Sequence, residues 1–573
     1  MKRQSPFFSI VVLLTLLVGQ VFSQTGVASK TSPANQKETA VNKSNNPVTI
    51  EKIEQDVAEA LTIIQDNYAA EKKLNYNDLF KSSIDSMLHT LDPHSNYFDA
   101  KEFEQFRTDQ SSQYFGIGAT IGDLRDGDGK LIGTYIKATF ENAPANRVGL
   151  RFGDKIVEVN GVSMLGKPFI EVRNHLRGPR GTSAKITVER YGTGKHEMVE
   201  IIRDAVPQPS ISEVYMIRPG IGYMNMNGGF NQTTFNEFRQ GMAKLRSQGM
   251  QYLVVDLRDN GGGLVNQAFQ IANTFLSSGQ TIFTQKGRLN GTSDPFRAEN
   301  NNPDKTPVVM LVNSNTASAS EILAGALQDH DRALIVGENT FGKGLVQNPF
   351  PIEYGSMLLL TIAKYETPSG RLIQRDYSNG NLYDYYTRGG TLAGEGQPKA
   401  PTGKESKTDL GRPVYSGGGI MPDEIVKPQT IPVERARQQI KLRDPIFAFS
   451  LDLAFGKLPG FESYKVDRPI TYGYDLKQTD FQITENIFQA FKKFAVEKYK
   501  FSPALIDKER QFIEEALRTE LVTAAYGVTT SYQVSNESNN QLKKAIELLP
   551  RAQQLAQESA RMKAQKSSAG ANR

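Results

Sequence analysis

Three rhythms of hydrophobic and polar positions follow one another along the chain. The first is helical. Ile50, Ile53, Val57, Leu61 and Ile64 recur every three or four residues and Leu79 to Leu91 repeats the pattern, which predicts an N-terminal helical region over 48–98 ending at "LDPHSNYF". From 99 to 205 strands and turns take over. "GIGATIGDLRDGDGKLIGTYIKATF" reads as two strands about a D-G-D-G turn, Ala145 to Val148 as a short helical turn, and "GLRFGDKIVEVNG" and "SAKITVERYG" as further strands. Over 206–440, short β-branched runs such as "YLVVDLR", "PVVMLVN" and "RALIVG" are apolar on both faces. They alternate with amphipathic helices, the pattern of a sheet covered on both sides. Residues 376–416 interrupt it with a Gly-, Lys- and Tyr-rich stretch poor in aliphatics, read as a long functional loop, a lid or docking element. Helical spacing returns over 441–573. Ile487, Phe491, Phe494 and Lys498 make one stripe and Phe512, Ala516 and Leu517 another; both are expected to face a core, with an oligomer interface as the alternative. The last twenty or so residues read as frayed, and no internal repeat is present. The sum is a multidomain α/β chain.

Composition changes this picture in a few places. A length of 573 residues carries several domains, and 38% hydrophobic with 23% charged residues is ordinary for a soluble protein. Lys and Arg number 67 against 62 Asp and Glu, with no basic run, which argues against a nucleic-acid partner. Cysteine is absent, so disulfides, a bacterial lipoprotein anchor, thiolate catalysis and Cys-ligated metal are excluded together. At the start, Lys2 and Arg3 precede an apolar stretch from Phe7 to Val18 and then small or polar residues up to Ser23. That is the three-part layout of a secretory signal peptide over 1–23. The apolar stretch falls short of the ~20 residues that span a bilayer, so cleavage is expected rather than a retained anchor. Residues 24–47 are polar and aperiodic, a linker.

Candidate chemistry centres on "SNTASASEILAGALQDH", residues 314–330, which follows the "PVVMLVN" strand. Strand, tight turn and helix set a hydroxyl at a helix N-terminus, where free N–H groups and the positive dipole end can hold a tetrahedral oxyanion. Ser314, Thr316, Ser318 and Ser320 all qualify by position, and helix capping is the ordinary alternative for each. His330 lies roughly 18 Å farther along a helix, too far to take the proton. A lysine offers a base instead. In "RALIVGENTFGKGLVQ", Lys343 stands between Gly342 and Gly344 after a second apolar strand, with Phe341, Leu345 and Val346 able to bury it. To be neutral near pH 7 it must lose ~3 pKa units, on the order of 4 kcal/mol of desolvation. Gln347 can orient the amine without charging it, where a carboxylate would raise its pKa. A solvated surface charge is the alternative for a lone lysine. The histidines, His89, His94, His175, His196 and His330, are scattered, and "HEMVE" lacks the second histidine of a zinc-protease helix. No G-x-S-x-G elbow occurs, "GIGATIG" misses the dinucleotide spacing, and "DGDG" has too few ligands for a calcium loop. Neither metal nor cofactor is expected.

Taken in order, "LDPHSNYF", "GIGA", "GLRFGDKIVEVNG", "DLRDNGGG", "TASASEI", "GENTFGKGLVQ", "TPSGRLIQ" and "GGGIMPDEIV" resemble the carboxy-terminal processing peptidases, or tail-specific proteases. These are serine peptidases with an embedded PDZ domain. The resemblance implies a crotonase-like ββα protease core over 206–440, a PDZ domain over 99–205, and helical regions on either side. It implies Ser318 as nucleophile, Lys343 as general base and Gln347 as the partner of that base; Thr316 replaces the first serine of the family's run. The oxyanion hole falls to the N–H of Ala319, with a second donor from Gly262 or Gly263. In the PDZ segment the carboxylate loop is "YFGIGA", where Phe115, Gly116, Ile117 and Gly118 would present N–H groups to the end of a peptide added as a strand. A plain bulge or turn is the alternative for those glycines.

The partners so implied are protein substrates with exposed apolar C-termini, with an adaptor protein and homo-oligomerisation through the helical termini as further expectations. The location is the periplasm, free or membrane-associated. A non-catalytic PDZ-bearing scaffold or holdase is the competing reading. An acyl-CoA enzyme on a related fold is weaker, because a PDZ domain has no role there.

Overall fold

The computed structural model describes residues 49–69, 74–288, 295–378, 382–387, 403–466 and 469–571, in two compact units, Met1–His89 and Thr90–Arg573. The signal peptide and linker expected over 1–23 and 24–47 lie outside the described residues. In the first unit the helices are Ile50–Asn67 and Tyr76–His89. The longer one carries Ile50, Ile53, Val57, Leu61 and Ile64 along one face.

The second unit opens on a difference from the sequence reading, which closes the helical region at 98. Asn96–Phe98 is instead a strand, paired antiparallel with Met357–Glu366, and Phe98 is buried. The "LDPHSNYF" segment therefore belongs to the sheet that carries Gln347, whose strand Leu345–Pro351 pairs with Met357–Glu366 as well. Next come Ala119–Arg125, Leu131–Thr139, Lys155–Val159, Ser183–Glu189 and His196–Ile202, an antiparallel sheet in that order. Ala184, Ile186 and Val188 alternate inward and pack with Ile136, Ile156, Val159 and Ile201. Ala119–Arg125 is an edge strand, paired among the described residues with Leu131–Thr139 alone. Helix Phe169–Leu176 lies against it, the Phe169 N–H donated to Asp123 Oδ1 at 2.7 Å.

A second, larger sheet fixes the chemistry. Tyr252–Asp256, Val308–Val312 and Ala333–Gly337 are adjacent parallel strands in its middle. Every residue of the last two is buried, because helices cover both faces. Thr234–Ser247, Val265–Phe275 and Ala319–Asp329 take one face; Leu542, Ile546, Leu549 and Ala552 of the C-terminal helices cover Tyr223, Val254, Leu311 and Val336 on the other. Parallel neighbours end at the same edge. The turns "RDNGGG", "NSNTAS" and "ENTFGKG" are thereby delivered side by side.

Two further readings change. The last helix runs Leu549–Ala571, with Ala552 and Ser559 buried, so the tail expected to fray is ordered by its packing on the sheet. Within 376–416 there are a helix, Leu382–Thr387, and a hairpin, Glu405–Lys407 with Pro413–Tyr415. The hairpin is pinned by Arg412 Nε on Asp331 Oδ1 at 2.6 Å; residues 379–381 and 388–402 lie outside the described residues. The aromatic stripes pack within the chain, Ile487, Phe491, Phe494, Phe512 and Leu517 sharing a core with Leu124, Tyr135 and Phe152 of the antiparallel sheet. They are core, not a free interface.

Candidate active site

The hydroxyls of "SNTASAS" separate by partner. Thr316 Oγ1 donates to the Leu257 carbonyl at 2.8 Å and Ser320 Oγ to the Asn260 carbonyl at 3.0 Å, so both tie this turn to the neighbouring "DLRDNGGG" turn. Ser318 is different. It caps helix Ala319–Asp329 with φ 58° and ψ −118°, a conformation that costs an L-residue on the order of 1–3 kcal/mol and is held only where surroundings over-determine it.

Its surroundings do so. Ser318 N–H donates to Glu321 Oε2 at 2.8 Å, and the same oxygen accepts the Lys343 N–H at 2.8 Å. Glu321 Oε1 accepts the Gly342 N–H at 2.8 Å and the Thr340 hydroxyl. On the other side the Tyr365 hydroxyl lies 3.0 Å from the carbonyl of Ser318 and 3.0 Å from that of Lys343. One buried carboxylate and one buried phenol thus join the backbones of Ser318 and Lys343.

Lys343 Nζ donates to Gln347 Oε1 at 2.9 Å. Among the described residues no hydrogen bond joins Nζ to Ser318 Oγ; backbone ties through Glu321 and Tyr365 link the two residues. Burial lowers the lysine from 10.5 to about 8, against the pull of the Asp92 and Glu321 carboxylates. Leu345 is buried and Val346 packs on the core beneath, as the sequence requires of the groups meant to dry the amine.

The Ala319 N–H, in the first turn of its helix, has no acceptor among the described residues and is free for an oxyanion. Gly262 needs correction. Its N–H is donated to Asn260 Oδ1 at 2.9 Å, so it is no donor to substrate. Its lack of a side chain is what matters, because a Cβ there would stand 2.7 Å from Ser318 Cβ and 3.0 Å from Ala319 N. Gly263 bridges to Phe230 through its neighbours' groups, Phe230 N–H to Gly262 O and Leu264 N–H to Phe230 O, which leaves its own N–H without an acceptor among the described residues.

The four loop residues of the smaller sheet hold a second arrangement. Phe115 and Gly116 pair with Ala205 and Asp204. Ile117 is buried in the sheet's core and Gly118 has φ 71°, its would-be Cβ 2.2 Å from Ala143 Cβ. The carbonyls of Ile117 and Gly118 accept the N–H groups of Ala145 and Phe140, while their own N–H groups have no acceptor among the described residues. Both residues directly precede the edge strand Ala119–Arg125.

A family model described as "Peptidase family S41" matches residues 220–383, and a PDZ domain model matches 136–190. A carboxy-terminal-processing protease of Bartonella bacilliformis is 34% identical over 301 residues, which are 52% of this chain and 67% of that protein. The carboxy-terminal processing protease CtpA of Bacillus subtilis is 32% identical over 378 residues, 65% of this chain and 76% of that one. The chain belongs to the carboxy-terminal processing proteases. A solved photosystem II D1 C-terminal processing protease is similar at 26% identity and a TM-score of 0.34, over 65% of this chain and 89% of that one. The chain is therefore a serine-type peptidase with a PDZ domain, in a multidomain α/β architecture.

Three residues that shape the site in this carboxy-terminal processing protease have no role in the sequence reading. Glu321 was signalled, since Ser318-x-x-Glu321 is a capping-box spacing and its carboxylate does accept the cap N–H. Asn260 holds the glycine turn through both ends of its amide, accepting from Gly262 and donating to the Met226 carbonyl. Tyr365 comes from a strand 47 residues after Ser318, and no local spacing announces it.

Proposed function

We propose that this carboxy-terminal processing protease is an exported endopeptidase with a Ser318–Lys343 centre. Neutral Lys343 takes the Ser318 Oγ proton as Oγ bonds to the scissile carbonyl carbon. The carbonyl oxygen becomes an oxyanion facing the N–H groups of Ala319 and Gly263. Collapse breaks the C–N bond, and the Lys343 ammonium returns its proton to the departing amine. Water, deprotonated by Lys343 in turn, then hydrolyses the acyl ester. The observation that carries this reading is the joint made by Glu321 and Tyr365, which fixes both reacting residues to one frame. Gln347 keeps the amine aimed, and the Oγ–Nζ contact closes when substrate enters, as such contacts tighten in the loaded enzyme.

The PDZ sheet supplies recognition. A substrate tail adds to the open edge of Ala119–Arg125, with its carboxylate on the N–H groups of Ile117 and Gly118. Export to the periplasm rests on the layout of residues 1–23 and is tested by sequencing the mature N-terminus, expected at Gln24. For the chemistry, a partly unfolded protein with an apolar C-terminus is incubated with wild type, Ser318→Ala and Lys343→Ala. Products form only with wild type. Cleavage that persists in either variant overturns the Ser–Lys assignment, and saturable binding without products from wild type returns the scaffold.

A further inference from the structure

Gln347 is itself held. Its Nε2 donates to the backbone carbonyl of His94. A carbonyl can only accept, so it selects the amide nitrogen and turns Oε1 to the lysine. The terminal amide torsion of glutamine is broad and two-fold, and nothing in the side chain itself makes that choice. The carbonyl of His94 is in turn fixed from several directions. Asp92 Oδ1 accepts the N–H groups of His94 at 2.8 Å and Ser95 at 2.9 Å, and Asp92 Oδ2 accepts the Ser95 hydroxyl at 2.6 Å. Tyr386 donates its hydroxyl to the Pro93 carbonyl at 2.5 Å. Tyr385 places its hydroxyl 2.8 Å from His94 Nε2. The rings of Phe341, Tyr385 and Tyr386 stand edge-on around the imidazole, with centroids at 6.3, 5.4 and 5.9 Å.

We propose that the Asp92–Ser95 loop, with Tyr385 and Tyr386 of the Leu382–Thr387 helix, positions the catalytic base by fixing the amide plane of Gln347. The two tyrosines belong to the 376–416 insertion, so that insertion helps to build the protease centre and is more than a cover over it. His94 acts through its main chain. Its imidazole is neutral, held well below 6.5 by burial and then by the positive charges of Lys343 and Arg375. The inference rests on Lys343 being the general base, as proposed above.

Cleavage of a peptide with an apolar C-terminus is followed from about pH 6 to about pH 10 for wild type, Tyr385→Phe, Tyr386→Phe, Gln347→Ala and the Tyr386→Phe/Gln347→Ala double variant. Each phenylalanine variant lowers kcat about three- to tenfold, the span of one lost neutral hydrogen bond, with KM within about twofold. In the Gln347→Ala background Tyr386→Phe changes kcat by less than about twofold, because its route to the lysine is already cut. The acid limb of the profile moves to lower pH, since Oε1 no longer favours the ammonium. Additive losses in the double variant, an acid limb that climbs toward the value of a hydrated lysine, or a change confined to KM overturns the proposal. Tyr386 is only half-buried, so its variant carries the test if Tyr385→Phe fails to fold. Failure of the Ser–Lys reading shows separately, as cleavage retained by Lys343→Ala.

Discussion

Exchanging Gln347 for glutamate keeps the side chain's shape and swaps a dipole for a charge 2.9 Å from the Lys343 ammonium. At that separation, with an effective dielectric constant of about 20, Coulomb's law gives about 6 kcal/mol. Drying the new carboxylate takes back much of this, which leaves about 2 pKa units, inside the range for a carboxylate beside a cation. Lys343, set at about 8 by burial, then titrates near pH 10. A base must be neutral to act, so the rate follows the deprotonated fraction. At pH 7 that is about one part in ten for wild type and about one in a thousand for the variant, a loss of roughly a hundredfold. At about pH 10 the effect of charge shrinks to about twofold, and any loss beyond it reflects the missing donor to the His94 carbonyl. The assay is the initial rate of peptide cleavage across this range at saturating substrate. Recovery in alkali separates a charged base from a misfolded enzyme, which alkali does not rescue. A variant whose acid limb stays near that of wild type, with a lower plateau, would mean that Gln347 does not touch the titrating group. An unchanged profile would refute the base assignment itself.

Two other substitutions test the frame and a third tests the peptide site. Lys343→Met removes the cost of a buried lysine: the folded value, about 8, lies below the ordinary 10.5, so wild type is destabilised at pH below 8, by up to about 3 kcal/mol. The inactive variant therefore unfolds at higher temperature near pH 7, and its advantage fades as pH rises from 8 to 10.5. Glu321→Ala strands the N–H groups of Ser318, Gly342 and Lys343 and the Thr340 hydroxyl; chemical denaturation reads a loss of about 4 kcal/mol or more, together with activity. Gly118→Ala sets a Cβ 2.2 Å from Ala143 Cβ at φ 71°. Fluorescence anisotropy with a labelled apolar C-terminal peptide shows affinity falling about tenfold or more, while melting of the protease core is unchanged.

How far the sequence reaches depends on whether a residue's role is local. The strands "PVVMLVN" and "RALIVG" announce themselves by composition, and a parallel arrangement then forces their following turns together, which is why Ser318 and Lys343 are legible although 25 positions apart. Gln347 is readable from its spacing to the lysine, because Lys343 stands two residues before the strand Leu345–Pro351 and Gln347 is that strand's third residue. Gly262 misleads for a physical reason: glycine marks a close approach, and only coordinates say whether its N–H or its missing Cβ is the functional part. Tyr365 and Tyr386 are invisible because each acts across a long stretch of chain on a backbone carbonyl, and backbone groups carry no sequence signature. The frayed reading of the tail fails in the same way, since the helix Leu549–Ala571 is stabilised by a sheet face encoded over two hundred positions earlier.

The centre gathers several local choices that are unfavourable alone. Ser318 takes a positive φ, Lys343 is dried to the edge of neutrality, and Glu321 is buried with burial raising its pKa. Each would be selected against in isolation, yet each meets a need of another. The strained turn presents the N–H of Ser318, that N–H and the one of Lys343 converge on a single oxygen of Glu321, and the carboxylate so occupied is satisfied by main-chain donors and not by an ion pair. Had Lys343 Nζ been the partner of Glu321, the ion pair would have kept the lysine charged and useless as a base. With the carboxylate fed by backbone donors instead, the pull of Glu321 on Lys343 stays weaker than the effect of burial. In the proposed Ser–Lys centre that division of labour, main chain to Glu321 and side chain to Gln347, leaves the amine oriented by an uncharged amide four residues on.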